Sequence, residues 1–296
     1  LVPLIIGAAL LVAFCFWEAY GAKYPMFPKR LGKEPRILIL TLIITFISGA
    51  NFFSVLLFWP TQAFNVYGHD PVGVGIRGLP VSFGILGGAC IVLWLLSVFK
   101  GANRMLMVCS SVMMTAGCGA MACATRYNIN AVYGILTIAG LGIGGIVIPA
   151  SIITTIICPD DLIATVAALT LAIRVIGGAI GYTVYYNVFY NKVVPILTER
   201  VGMECVRNKI YNVSDITTII ELAGASLTEK ILHLSVVGGN VTLWNNIVLA
   251  SQLAYAEAYP FVYYTSIAFG GISILAACLL GDISQYMDDH VAVVIH

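Results

Sequence analysis

Seven apolar stretches follow one another along the chain, at approximately residues 1–17, 36–59, 74–99, 105–124, 131–158, 162–190 and 253–280. Most have the roughly 20 residues needed to cross a bilayer core, and in hydrocarbon such a segment can satisfy its backbone polar groups alone only as a helix. Only 10% of the residues are charged and 60% are apolar, against about 25% charge in a soluble domain, so a water-soluble globule is excluded. Lys and Arg (15) nearly balance Asp and Glu (14), which leaves no basic surface for nucleic acid. The fold class that follows is an all-α, multi-pass membrane protein with seven transmembrane helices, and its first partner is the lipid bilayer.

The short connections set the orientation. Lys23, Lys29, Arg30, Lys33 and Arg36 follow the first stretch and Lys100 and Arg104 the third, while the alternate connections carry only Arg77 and Arg126. Cytoplasmic loops collect Lys and Arg, so the loops after stretches 1, 3 and 5 and the C-terminus are expected in the cytoplasm. The long segment 191–252 is then an extracellular loop. Both glycosylation sequons, at Asn212 and Asn240, fall in it, as does a pair of short helices around 215–221 and 226–232, the second opening on a capping-box pattern. The chain opens on Leu1 inside an apolar run, without the charged flank of a signal peptide, and reads as the later part of a longer polypeptide.

Chemistry-bearing residues are sparse. The histidines (His69, His233, His290, His296) lie in loops or the tail, and of eight cysteines only Cys205 is in the outer loop. No metal, no cofactor and no catalytic residues are expected, and the chain does not read as an enzyme.

What the stretches do contain is glycine at four-residue spacing: Gly84 with Gly88, Gly140 with Gly144, and Gly177 with Gly181, next to Gly178. Small residues at that spacing let lipid-embedded helices approach closely, either as static packing or as smooth faces on which helices rock, with Pro149 as a further packing or hinge position. Two polar stripes run along helix faces. One joins Thr41, Thr45 and Ser48 to Trp59, with Asn51 on its flank; the other joins Tyr133, Thr137, Gly140, Gly144 and Ser151. Such hydroxyls either bond back to their own helix or line a wetted pathway.

Arg174 is the sharpest feature. It lies about twelve residues into the sixth stretch, roughly 18 Å from its end, where a lipid-facing charge costs about 2.5 to 3.5 kcal/mol. The middles of the stretches hold no Asp or Glu. Its partner is therefore a backbone carbonyl, a substrate or a group elsewhere; Tyr185 shares its face.

The run Ile173-Arg174-Val175-Ile176-Gly177-Gly178-Ala179-Ile180-Gly181-Tyr182, continued by Tyr185-Tyr186-Asn187-Val188-Phe189-Tyr190-Asn191-Lys192, resembles the penultimate span of fungal trichothecene-efflux-pump-like and siderophore-transporter-like members of the major facilitator superfamily. The tail Gly281-Asp282-Ile283-Ser284-Gln285-Tyr286-Met287-Asp288-Asp289-His290-Val291-Ala292 is similar to their C-terminal end, and Tyr67-Gly68-His69-Asp70-Pro71 with Gly78-Leu79-Pro80 to their approach to the second core helix. The resemblance implies the C-terminal half of a fourteen-span transporter. Residues 1–35 would be a linker helix with its basic loop, and 36–296 a six-helix domain built as a 3+3 inverted repeat. It also implies a missing N-terminal half as partner and secondary active, proton-coupled transport. The solute would be organic, a siderophore-iron chelate, a trichothecene-like toxin or a drug, and the membrane the plasma membrane or an endomembrane. Arg174, Tyr185, Thr41, Thr45, Ser48, Asn51, Trp59, Tyr133 and Ser151 are the residues expected on the substrate pathway. Gly101-Ala102-Asn103-Arg104 only faintly echoes the superfamily's basic loop motif. The alternatives are an orphan half with a regulatory or no transport role, and a seven-helix receptor.

Overall fold

A computed structural model describes residues 2–22, 35–68, 70–99, 101–281 and 283. The helices are α1 (Val2–Tyr20), α2 (Pro35–Tyr67), α3 (Pro71–Val98), α4 (Asn103–Ala120), α5 (Ile129–Ile156), α6 (Ile163–Arg207), α7 (Val213–Gly224), α8 (Thr228–Leu232) and α9 (Val241–Cys278). Among the described residues six of them, α2 to α6 and α9, are long and apolar enough to cross a membrane. The first apolar stretch forms the shorter α1, which buries none of its described side chains. The basic loop Lys23, Lys29, Arg30 and Lys33, together with His69, Lys100 and the tail from Ser284 onward, lies outside the described residues.

Two helix crossings organise the bundle, and they are copies of one another. Where α2 meets α6, a Cβ on Gly49 would overlap the carbonyl oxygen of Arg174, and one on Gly177 would overlap that of Phe46. Where α5 meets α3, a Cβ on Gly144 would overlap the carbonyl of Ile85, and one on Gly88 that of Leu141. In all four cases backbone rests on backbone, a separation that only glycine permits. Gly84, Gly140 and Gly181 extend the same two contacts, against Thr137, Val81 and Ala50, whereas Gly178 receives the ring of Phe53.

Exchanging α2 with α5, α3 with α6 and α4 with α9 carries one crossing onto the other. It also carries the packing of α9 on α2 onto that of α4 on α5, while α6 leans on α9 far more than α3 leans on α4. Each triplet makes three passes, so the second traverses the bilayer in the opposite sense to the first. This is the 3+3 inverted arrangement.

The ends of the bundle are separately tied. At one end Arg36 Nη2 donates to the carbonyl of Leu279 at 3.0 Å, and buried Asn103 donates to that of Gly281 at 2.9 Å. At the other, the Tyr67 hydroxyl donates to Thr125 O at 2.8 Å. Asp70 caps α3 by accepting from Val72 N and Gly73 N, with Pro71 in the first turn, where its missing N–H costs nothing.

The expected 191–252 loop is shorter than its hydropathy suggests. α6 continues through Pro195 to Arg207 and α9 begins at Val241, leaving 208–240 as the connection. Charge ends an apolar run without ending a helix, and here the α6 extension is braced against α9. Arg200 pairs with Glu257 at 2.6 Å, and the Phe189 ring stacks on Tyr259 at 4.6 Å. Within 208–240 the two short helices form as α7 and α8. The capping box does not form: Leu227 is the N-cap, and the Ser226 hydroxyl donates instead to Asn65 Oδ1 at 2.6 Å, a tertiary bond that replaces the local one.

Substituting Gly88 or Gly49 by Ala should lower thermal stability in detergent, read by size-exclusion after heating, by about 1 to 3 kcal/mol as overpacking does. Gly271, whose Cβ would meet nothing, should accept Ala without loss.

Candidate functional site: a half-buried guanidinium between α5 and α6

Arg174 projects from α6 toward the upper part of α5. Its Nη2 donates to the Val147 carbonyl and, at 3.2 Å, to the Ser151 hydroxyl. Nη1 donates to no described residue, Nε is buried without an acceptor, and no carboxylate among the described residues pairs with the charge. Two of the fork's three nitrogens are thus uncommitted. Pro149, buried two residues beyond Val147, lacks the N–H that would reach back to Gly145, so α5 is weakened beside the point where the guanidinium grips it. One turn before Arg174, Thr170 shares a hydroxyl bond of 3.0 Å with Thr154 and so holds α6 against α5.

The other residues singled out from the sequence fall into two groups. Tyr133 and Ser151 on α5 are partly exposed, as Arg174 is. Thr41, Thr45, Ser48, Asn51, Trp59 and Tyr185 are buried within the bundle. Thr45 donates back to Thr41 O and Ser48 to Thr45 O, at 2.7 and 2.9 Å. The Trp59 indole donates across to the Arg77 carbonyl at 2.9 Å. The Tyr185 hydroxyl donates to Asn51 Oδ1 at 2.9 Å, while Asn51 Nδ2, Ser54 Oγ and Thr41 Oγ1 are buried without partners.

A feature that the sequence reading passed over is an aromatic ladder on the exposed face of α6. Tyr182, Tyr186 and Tyr190 stand ring to ring at 6.1 and 6.2 Å, and Phe58 of α2 meets Tyr182 at 5.5 Å. Their spacing of four places them on one stripe, a signal present in the sequence. Both sequon asparagines are exposed helix caps: Asn212 Oδ1 accepts from Ser214 N, and Asn240 Oδ1 from Thr242 N and Leu243 N.

Six membrane-length helices in two interlocked triplets, with an unneutralised cation beside a glycine crossing, mark an integral, multi-pass membrane protein. The chain belongs to the fungal trichothecene efflux pump (TRI12) family, whose sequence profile it matches over residues 2–296, and this sets the receptor alternative aside. It is 24% identical over 290 residues to the "Trichothecene efflux pump TRI12" of Fusarium sporotrichioides, covering 96% of this chain and 48% of that protein. It is also 24% identical over 285 residues to the "MFS-type transporter prx5" of Penicillium rubens, covering 94% and 50%. Against the "Probable efflux pump gsfJ" of Penicillium aethiopicum the identity is 24% over 200 residues, covering 67% and 36%. The chain thus spans about half the length of the curated relatives it matches.

Replacing Tyr185 by Phe strips Asn51 of its remaining side-chain bond and should cost about 1 to 3 kcal/mol. Adding Asn51→Leu should recover much of that loss, because an apolar pair strands no amide. A double-mutant cycle of thermal unfolding in detergent measures it.

Proposed function

We propose that this chain forms one half of a proton-coupled secondary transporter that exports an organic toxin or drug. The part of the relatives' length that it does not span would supply the facing half and the proton-coupling carboxylates. The observation that carries the reading is Arg174. Its backbone sits at the α2–α6 crossing, and the twin position in the α3–α5 crossing is Ile85, so the packing geometry does not itself require a cation there. A charge that the fold does not need, near the midplane and with donors uncommitted, serves a solute or a group on the facing half.

In this reading Arg174, Ser151 and Tyr133 face the pathway, and Tyr182, Tyr186 and Tyr190 offer ring faces to an apolar solute. Asn51, Tyr185, Trp59, Thr41, Thr45 and Ser48 hold the helices behind that surface. Gly84, Gly88, Gly140, Gly144, Gly177, Gly178, Gly181 and Pro149 are where the helices would slide or bend. Export of a toxin is favoured over siderophore import by the names of the relatives, two of which are trichothecene efflux pumps.

A fungal strain deleted for the gene should become hypersensitive to trichothecenes, with siderophore-dependent growth unchanged. Restoration with Arg174→Ala should fail although the protein reaches the membrane, and Arg174→Lys should restore resistance in part. Normal resistance in the deletion strain, or full rescue by the Ala variant, would overturn the proposal. We further propose that the C-terminus is cytoplasmic and that 208–240 is outside and glycosylated at Asn212 and Asn240. An amidase that removes N-linked glycans should then speed the band on a gel, and the shift should vanish in the Asn212→Gln, Asn240→Gln double variant.

A further inference from the structure

A cavity of about 710 Å³ opens at the end of the bundle that carries α7 and α8, away from Arg174. Its volume falls within the range of small-molecule sites. Four parts of the chain converge on it: α2 through Phe64, the α4–α5 turn through Arg126, the segment 226–230 through Lys230, and two turns of α9 from Trp244 to Gln252.

Its polar groups are unsatisfied in a particular way. Arg126 Nη1 is fully buried and has no acceptor. Gln252, 7% exposed, makes no side-chain hydrogen bond among the described residues, although its carboxamide lines the space. Glu229 is on the wall, yet no salt bridge joins it to Arg126. The stranded guanidinium N–H carries the desolvation cost of an unmade bond, and Gln252 adds an amide beside it.

The remaining walls are apolar. The Trp244 ring is fixed in plane by its indole N–H, which donates to Thr228 O at 2.7 Å, and Val248, Leu249 and Phe64 complete the lining. Carboxylates and phosphates both accept from a guanidinium, and the single charge of a carboxylate suits a wall that also carries Glu229; an apolar body fits the indole and aliphatic walls.

We propose that this cavity is a binding site for a small organic carboxylate with an aromatic or aliphatic body, held by Arg126, Gln252 and Lys230 against Trp244. The site is separate from the Arg174 pathway and does not depend on the transport reading. Occupancy would tie the α4–α5 turn to α8 and α9, and so fasten the 208–240 segment to the bundle.

The test is equilibrium dialysis of naphthalene-2-carboxylate against the purified chain in phosphatidylcholine nanodiscs, with naphthalene-2-carboxamide as the uncharged control. The carboxylate should bind saturably and at least about tenfold more tightly than the carboxamide, a difference of about 1.4 kcal/mol. Arg126→Gln should abolish that preference, and Arg200→Gln, at a separate ion pair, should keep it. If Arg126→Gln does not assemble, Gln252→Leu and Lys230→Gln read the same loss. Nanodiscs containing phosphatidylserine distinguish a free carboxylate from a lipid headgroup: unchanged binding supports the proposal, and displacement by the lipid overturns it in favour of a headgroup site. Equal binding of the two naphthalenes, non-saturable partition, or an unaltered preference in all three cavity variants also overturns it.

Discussion

This bundle hangs on backbone lying against backbone, at two twin crossings and again where Gly117 and Gly142 bring α4 onto α5. In hydrocarbon there is little hydrophobic drive between helices, so close packing must do the work of association, and it can do so only where no side chain intervenes. Gly49 and Gly177 meet that condition between α2 and α6, and Gly144 and Gly88 meet it between α3 and α5. The reciprocity is what makes the triplets interlock: each helix supplies both the glycine and the carbonyl that fills it.

Against that repeat, departures from symmetry become informative. The side chains at the Arg174 and Ile85 positions hang from matching backbone, yet one is charged and the other aliphatic. The charged one grips a carbonyl just ahead of a proline, at the part of α5 with the weakest hydrogen-bond ladder. A group bound to the free side of the guanidinium would therefore pull on the most pliable stretch of its neighbour.

Much of the architecture was legible because lipid is a demanding solvent. Unbroken apolar length gave the membrane helices, and four-residue glycine spacing marked three of the four helices at the crossings. The fourth, α2, was missed because Gly49 stands alone: its counterpart on the same helix is the carbonyl of Phe46, which leaves no trace in sequence. Hydropathy failed where helices leave the membrane, since Arg200 looks like a loop residue until it is paired with Glu257 of α9. The polar stripe on α2 was visible as a pattern, but its burial was not. Whether Thr45 and Ser48 face a channel or their own carbonyls depends on which helix lies opposite, and that is tertiary information. Arg174 announced itself by cost alone, while Arg126 and Gln252, far apart in sequence, become related only once the turn and α9 are brought together.

The long reach of α6 has a mechanical meaning. From the glycine crossing at Gly177 to the helix end at Arg207 is about 45 Å at the rise of an α-helix, well beyond the hydrocarbon. Such a rod pivots at its narrowest joint, so a slight change of angle deep in the membrane becomes a wide sweep at the tip. Because the tip is latched to α9 by Arg200 and Glu257, the two helices would swing as one arm, bringing the bundle's internal geometry out to where the surrounding water can register it.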